Sequence, residues 1–156
     1  MRILVVSDSH GNRRALRETL MEQPNASAVI HLGDGLREAQ DIAAEYPQLP
    51  FFTVRGNCDF GLLADDAPLS RLERFAGVRV FCTHGHLYEV KYGLLRVELA
   101  AREQSAQVLL HGHTHRPYTD YQEGLYMMNP GCLADGYGLL DITPQGIMPH
   151  LVEVSR

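Results

Sequence analysis

Five times along this chain, a short apolar run stops at a motif bearing Asp, Asn or His. Ile3-Leu4-Val5-Val6 precedes Asp8-Ser9-His10, Val29-Ile30 precedes His31-Leu32-Gly33-Asp34, and Phe52-Thr53-Val54 precedes Gly56-Asn57. Val78 to Phe81 precedes Thr83-His84-Gly85-His86, and Val108-Leu109-Leu110 precedes His111-Gly112-His113-Thr114-His115. An unbroken apolar run is the pattern of a strand buried on both faces, which needs cover on each side. In open α/β sheets, polar groups just beyond the carboxyl ends of strands meet in one cleft even when remote in sequence. The chain is thereby constrained to a layered α/β architecture with its polar motifs along one rim.

The segments between the runs agree. Arg13 to Met21 carries Ala15, Leu16 and Leu20 at helical spacing, and Leu36, Ala39, Ala43 and Tyr46 predict a second helix. With strands at Ala28–Leu32 and Phe51–Val54, the first half reads βαβαβ, so parallel pairing with right-handed crossovers is expected. The second half reads as hairpins. Arg71–Phe75 and Val78–Thr83 flank Ala76-Gly77, Tyr118–Gln122 and Leu125–Met128 flank Glu123-Gly124, and Gly138–Ile142 and Ile147–Val154 flank a turn at 143–146. Lys91–Arg102 predicts a helix, and Pro149 fits only an edge or irregular position in the last strand. The expected fold is an α/β layered sandwich, two stacked mixed β-sheets flanked by helices.

A length of 156 residues predicts a single domain spanning 1–156, and 45% hydrophobic residues can furnish its core. The formal charge of -5 argues against an extended nucleic-acid surface. Cys58, Cys82 and Cys132 are odd in number and widely spaced, which disfavours a disulfide framework and favours a reducing compartment. The N-terminal apolar run is too short for a signal-peptide core or a membrane span, so a cytoplasmic protein with no membrane partner is expected.

Of the eight histidines, His150 alone lies outside these motifs. Asp, His and Asn side chains together form a ligand set for hard-to-borderline divalent metals. Asp8 and His10 are separated by one residue, as are His113 and His115, so in an extended segment each pair would face one cluster. Gly33, Gly56 and Gly112 each precede a candidate ligand and permit the close approach a tight turn needs. Taken singly, each motif has an ordinary reading: a helix cap for Asp8, turns for Gly33-Asp34 and Gly56-Asn57, a hydrogen-bonded strand end for His84, a structural zinc site for His113 and His115. Five unrelated turns would not be expected to supply two carboxylates, an amide and at least four imidazoles. The set is too rich for one ion and suggests two ions sharing a carboxylate, the arrangement used for attack on phosphorus.

The ordered pattern D-x-H, G-D, G-N, H, G-H-x-H resembles the calcineurin-like metallophosphoesterases from about residue 2 to 142. Arg55-Gly56-Asn57-Cys58-Asp59, Leu110 to His115 and Asn129-Pro130-Gly131 are most similar to the small bacterial and archaeal phosphodiesterases of that group. The resemblance implies the metallophosphoesterase fold and a dinuclear site. Asp8, His10, Asp34 and His115 would hold one metal, and Asp34, Asn57, His84 and His113 the other, with Asp34 bridging. It further implies hydrolysis of a small phosphodiester or phosphomonoester by a metal-bridging hydroxide, with Mn the favoured metal and Fe, Ni, Co or Zn the alternatives, and a homo-oligomer, dimer or tetramer. Two divalent ions, two carboxylates and one hydroxide leave about one positive charge, which suits an anionic substrate.

Asp34, Asn57, His84 and Cys58 are the candidate catalytic residues. Many relatives carry histidine where Cys58 stands, and a thiol is a poor substitute for an imidazole as proton donor. Diesters with good leaving groups should therefore outrun alkyl monoesters. Cys58 as a nucleophile is disfavoured because no adjacent base is evident. Asn12, Arg55 and His86 are candidate substrate contacts, with a helix cap the favoured role for Asn12, whereas His31 and His111 are expected to be packed histidines. The competing reading is a protein-interaction scaffold of the same fold, similar to a retromer subunit, with little catalytic activity.

Overall fold

The computed structural model describes residues 1–154; positions 155 and 156 of the expected domain lie outside the described residues. The order is β1 (Arg2–Val6), α1 (Arg13–Glu22), β2 (Ala28–His31), α2 (Leu36–Glu45), β3 (Phe51–Thr53), α3 (Leu62–Asp65), β4 (Ser70–Phe75) and β5 (Val78–Thr83). There follow a 3₁₀ turn at His86–Tyr88, α4 (Leu95–Glu103), β6 (Val108–Leu110), β7 (Tyr118–Gln122), β8 (Leu125–Asn129), β9 (Gly136–Thr143) and β10 (Gly146–Glu153). Among the described residues the strands form two five-stranded mixed sheets, ordered β10-β9-β1-β2-β3 and β4-β5-β6-β8-β7. β1, β2 and β3 pair in parallel, as do β5, β6 and β8.

The unbroken apolar runs are explained by two cores meeting each strand. Ile3, Val5 and Ile30 face the second sheet, where they pack with Val80, Cys82, Val108, Leu110 and Met128. Leu4, Val6 and Val29, on the opposite face, meet Leu16 and Leu20 of α1 and Ile42 of α2. In the second sheet Phe81, Leu109 and Met127 turn outward to Val97 and Ala101 of α4. Side chains alternate across a strand, so burial on both faces demands apolar residues at every position. The layers are therefore helices, sheet, sheet, helix.

Three local details differ from the sequence-based expectation. The helix expected at 91–102 begins only at Leu95, because Gly93 sits at φ 159, far from helical values. The buried stripe of α2 is Leu36, Glu38, Ala39 and Ile42, which brings a carboxylate onto the apolar face. α3 and the 3₁₀ turn are too short to leave a periodic signal. Pro149 lies in β10, an edge strand, opposite Leu140, where its missing N–H is tolerated.

The β4–β5 and β7–β8 turns have positive φ at both central residues, 47° and 87° at Ala76 and Gly77, and 46° and 83° at Glu123 and Gly124, as a type I′ hairpin requires. Alanine is ill suited to the left-handed region and asparagine is not. Exposed Ala76→Asn should raise stability by about 0.5–1 kcal/mol, read as a higher urea midpoint with an unchanged slope.

Candidate metal centre

The five polar motifs converge at one rim, and Asp8 is among the most deeply buried of the groups they bring. Its carboxylate is fully buried. Oδ2 accepts from Ser7 Oγ at 2.5 Å and from the His113 backbone N–H at 3.1 Å. Oδ1 has no hydrogen-bond partner among the described residues, yet the Nε2 atoms of His115, His10 and His84 stand 3.0, 3.9 and 4.0 Å from it. A buried carboxylate oxygen without a donor is costly unless a cation completes it.

His84 shows the same geometry from the other side. Its Nδ1 donates to the Leu32 carbonyl at 2.7 Å, which fixes the tautomer and leaves Nε2 directed inward. That nitrogen lies 3.1 Å from Asn57 Oδ1 and 3.5 Å from Asp34 Oδ2. Burial alone would raise the Asp34 carboxyl, but the His84 imidazole and the Cys58 N–H at 2.7 Å outweigh it and hold the group well below the usual carboxylate range. Burial likewise opposes a charge on His84, yet Asp34 and Asp8 together raise its pKa.

Ligand atoms gather within 4.8 Å of one another in three groups, Asp8–His10–His115, His10–Asp34–Cys58 and Asp8–Asp34–His84. Asp34, Asp8 and His10 are each common to two of them. The His113 ring stands beside His84 with centroids 5.0 Å apart, outside these groups. His86 lies 5.4 Å from His84 by the same measure, its Nδ1 buried without a partner among the described residues. Cys58 Sγ accepts from Asn57 Nδ2 at 3.3 Å, and burial, then Asp34, pushes its thiol pKa up, which disfavours a thiolate nucleophile. Asn12 uses Oδ1 to cap α1 through Ala15 N at 3.0 Å, and Arg55 lies 3.7 Å from Asp65.

The extended geometry expected for Asp8-x-His10 and His113-x-His115 is not what the chain adopts. Asp8, His10, Asp34, His113 and His115 have φ of 52, 45, 56, 67 and 57°, so the loops after β1, β2 and β6 pass through left-handed residues. Gly56 and Gly112 are required by space, since a Cβ there would overlap Asp34 Oδ1 or Ser7 Oγ.

Several residues that hold the site receive no role from the sequence, although Ser9, Asp59 and Asn129 stand within its motifs. Asp59 accepts four backbone N–H groups, from Asp34 and Gly35 at 2.9 Å, Leu36 at 3.0 Å and Gly56 at 2.8 Å, and thus staples two ligand loops to the start of α2. A hydrogen-bond chain runs from Gly33 N to His31 Nδ1, from His31 Nε2 to Ser9 Oγ, and from Ser9 Oγ to Glu38 Oε1, where Gly11 N also donates. Asn129 donates to the Gly112 carbonyl and Thr114 Oγ1, steadying the last motif. The available clue for Glu38 is a carboxylate on the apolar stripe of a helix. His31 and His111 are buried and hydrogen-bonded, as expected.

Residues 1–143 match the family model described as the calcineurin-like phosphoesterase superfamily domain, and the chain belongs to that family. It is 36% identical over 136 residues to the probable metallophosphoesterase YsnB of Bacillus subtilis, covering 85% of this chain and 75% of that one. It is 29% identical over 171 residues to phosphodiesterase YfcE of Escherichia coli K12, covering 90% and 88%. The crystal structure of Entamoeba histolytica Vps29 complexed with Zn²⁺ superposes with a TM-score of 0.74 at 19% identity, covering 98% of this chain and 99% of that one. Calcineurin-like phosphoesterases bind divalent metals, and candidate ligand groups for them are present here.

Asp59→Ala would leave four backbone donors without their acceptor and should lower stability by about 3–5 kcal/mol; Asp59→Asn, whose amide would confront those donors, should cost nearly as much in urea unfolding. His31 is fully buried, and burial lowers its pKa despite the nearby Glu38, Asp59 and Asp8. Below about pH 6.5 the unfolded chain binds a proton that the folded His31 refuses, so this group makes stability fall as pH drops. Imidazole nitrogen shifts followed through a pH titration should give His31 a midpoint below that of a free imidazole.

Proposed function

We propose that this chain is a dinuclear metal-dependent phosphodiesterase, with Asp8, His10, Asp34 and His115 around one ion and Asp34, Asn57, His84 and His113 around the other. The observation that carries the reading is the unpartnered Oδ1 of buried Asp8 facing the Nε2 atoms of three histidines. When bound, two divalent ions supply Lewis acidity toward phosphoryl oxygens and lower the pKa of an attacking water. Asp34 and Asp8 hold negative charge between the loops, and His84, its Nδ1 proton committed to Leu32, keeps Nε2 available as a donor atom. His86 and Arg55 stand on the His84 side for contact with an anion, while Asn12 is spent on its helix cap.

Cys58 takes the place where many relatives carry the leaving-group imidazole, and a thiol is a poorer proton donor than an imidazolium near neutral pH. The reading therefore favours diesters whose leaving oxygen departs unaided. Mn is the favoured metal by resemblance to the family, and the mixed nitrogen and oxygen ligand set also accepts Fe, Ni, Co or Zn. A single domain over 1–156 and a cytoplasmic setting complete the reading. Among the described residues no helix is long and apolar enough to cross a membrane.

The competing scaffold reading is favoured by the likeness to Vps29, which at 19% identity is a likeness of fold alone. Metal content and hydrolysis of bis-p-nitrophenyl phosphate with added Mn²⁺ separate the two. We expect about two ions per chain, activity abolished by chelation and restored by Mn²⁺, and a loss of at least about 100-fold in Asp34→Asn with the circular dichroism unchanged. Folded protein that hydrolyses no phosphate ester with any divalent metal would favour the scaffold.

A further inference from the structure

Beside the metal centre lies a cavity of about 680 Å³ that shares His10, Asp34 and Cys58 with it. A phosphate alone fills little of such a space, which lies within the range of small-molecule pockets, roughly 300–1,000 Å³. Its far walls come from the first turn of α2 and from the segment around α3. They carry a pair of features the hydrolytic reading does not use. Phe60 and Leu62 are 79% and 86% exposed, an aromatic and an aliphatic group left in water at the mouth of a polar site. Arg37, also exposed, has no ion-pair partner among the described residues, in a chain whose formal charge is -5. The packing of the fold requires neither feature.

The geometry points to a specificity subsite for one ester arm of the substrate, an arm made of a planar aromatic ring that carries a further negative charge. Phe60 and Leu62 cover the ring, and Arg37 meets the charge. Aromatic stacking with burial of apolar surface favours the ring, and an unpaired guanidinium favours an anionic substituent. The inference rests on the phosphoesterase reading above and names the substrate class for that site.

Calorimetric titration of the Mn²⁺-loaded protein with methylphosphonate, phenylphosphonate and 4-phosphonobenzoate tests it. The wild type should bind phenylphosphonate about tenfold more tightly than methylphosphonate, and 4-phosphonobenzoate several-fold more tightly again. Phe60→Ala should erase the first step and Arg37→Gln the second, each leaving methylphosphonate affinity within about twofold. Both positions are at the surface, so folding is not at stake. The chain has no tryptophan, so Phe60→Trp adds a single reporter whose fluorescence should respond to the two aryl ligands and not to methylphosphonate. Equal affinity for all three ligands, or variants that weaken all three alike, would overturn the subsite while leaving the metal centre intact. Failure to bind even methylphosphonate would overturn the phosphoesterase reading, and the subsite with it.

Discussion

The Asp8 carboxylate ties the two sheets together at the rim where the site lies. One of its oxygens is engaged by Ser7 Oγ and by the backbone of His113, a residue more than a hundred positions away, so the loop after β1 and the loop after β6 share a single acceptor. The other oxygen is left to face imidazole nitrogens. Burying a charge in this way is unfavourable unless it is paired. The remaining contacts of the rim hold this charge and the Asp34 carboxylate in place against that cost.

The backbone bears a cost as well. Asp8, His10, Asp34, His113 and His115 all occupy the left-handed region, which costs an L-residue about 1–2 kcal/mol. Over five positions that rivals the net stability of a typical domain, about 5–15 kcal/mol. Asp and His are among the side chains that tolerate this region best, so the residue types that suit a metal also soften the strain. Local hydrogen bonds offset the rest. Asp8 N donates to Gly33 O at 3.0 Å, His10 N to Asp34 O at 2.9 Å, and Gly112 N to His84 O at 3.1 Å, each joining one ligand loop to another. Strained residues cluster at sites where surrounding structure over-determines them, and the fourfold grip of Asp59 with the Ser9–His31–Glu38 chain is that surrounding structure.

Much of this was legible beforehand because strand burial leaves a strong mark. Runs such as Ile3 to Val6 and Val108 to Leu110 must be apolar at every position to lie between two layers, and the motif after each run announced where the rim would be. The α4 boundary was less legible, since Gly93 and the turn before it obey local backbone preferences that periodicity does not register. The geometry of the Asp8–His10 and His113–His115 loops was illegible for the same reason: alternate spacing suggested an extended strand, but hydrogen bonds to neighbouring loops hold them in left-handed conformations. The roles of Asp59 and Glu38 were not legible because they lie in partners from other loops, which no local pattern encodes.

By itself, the sequence determined the layered α/β class, the parallel βαβαβ start and the inventory of metal-competent side chains, because each follows from short-range periodicity or residue chemistry. Tertiary structure alone decided which atoms face one another: that Asp8 as well as Asp34 is common to two ligand groups, that His113 stands beside His84 rather than within those groups, and that Phe60 and Arg37 border the same cavity. These are distances between segments far apart in the chain. They are set by how two sheets stack and how their loops hydrogen-bond, which no window of neighbouring residues contains.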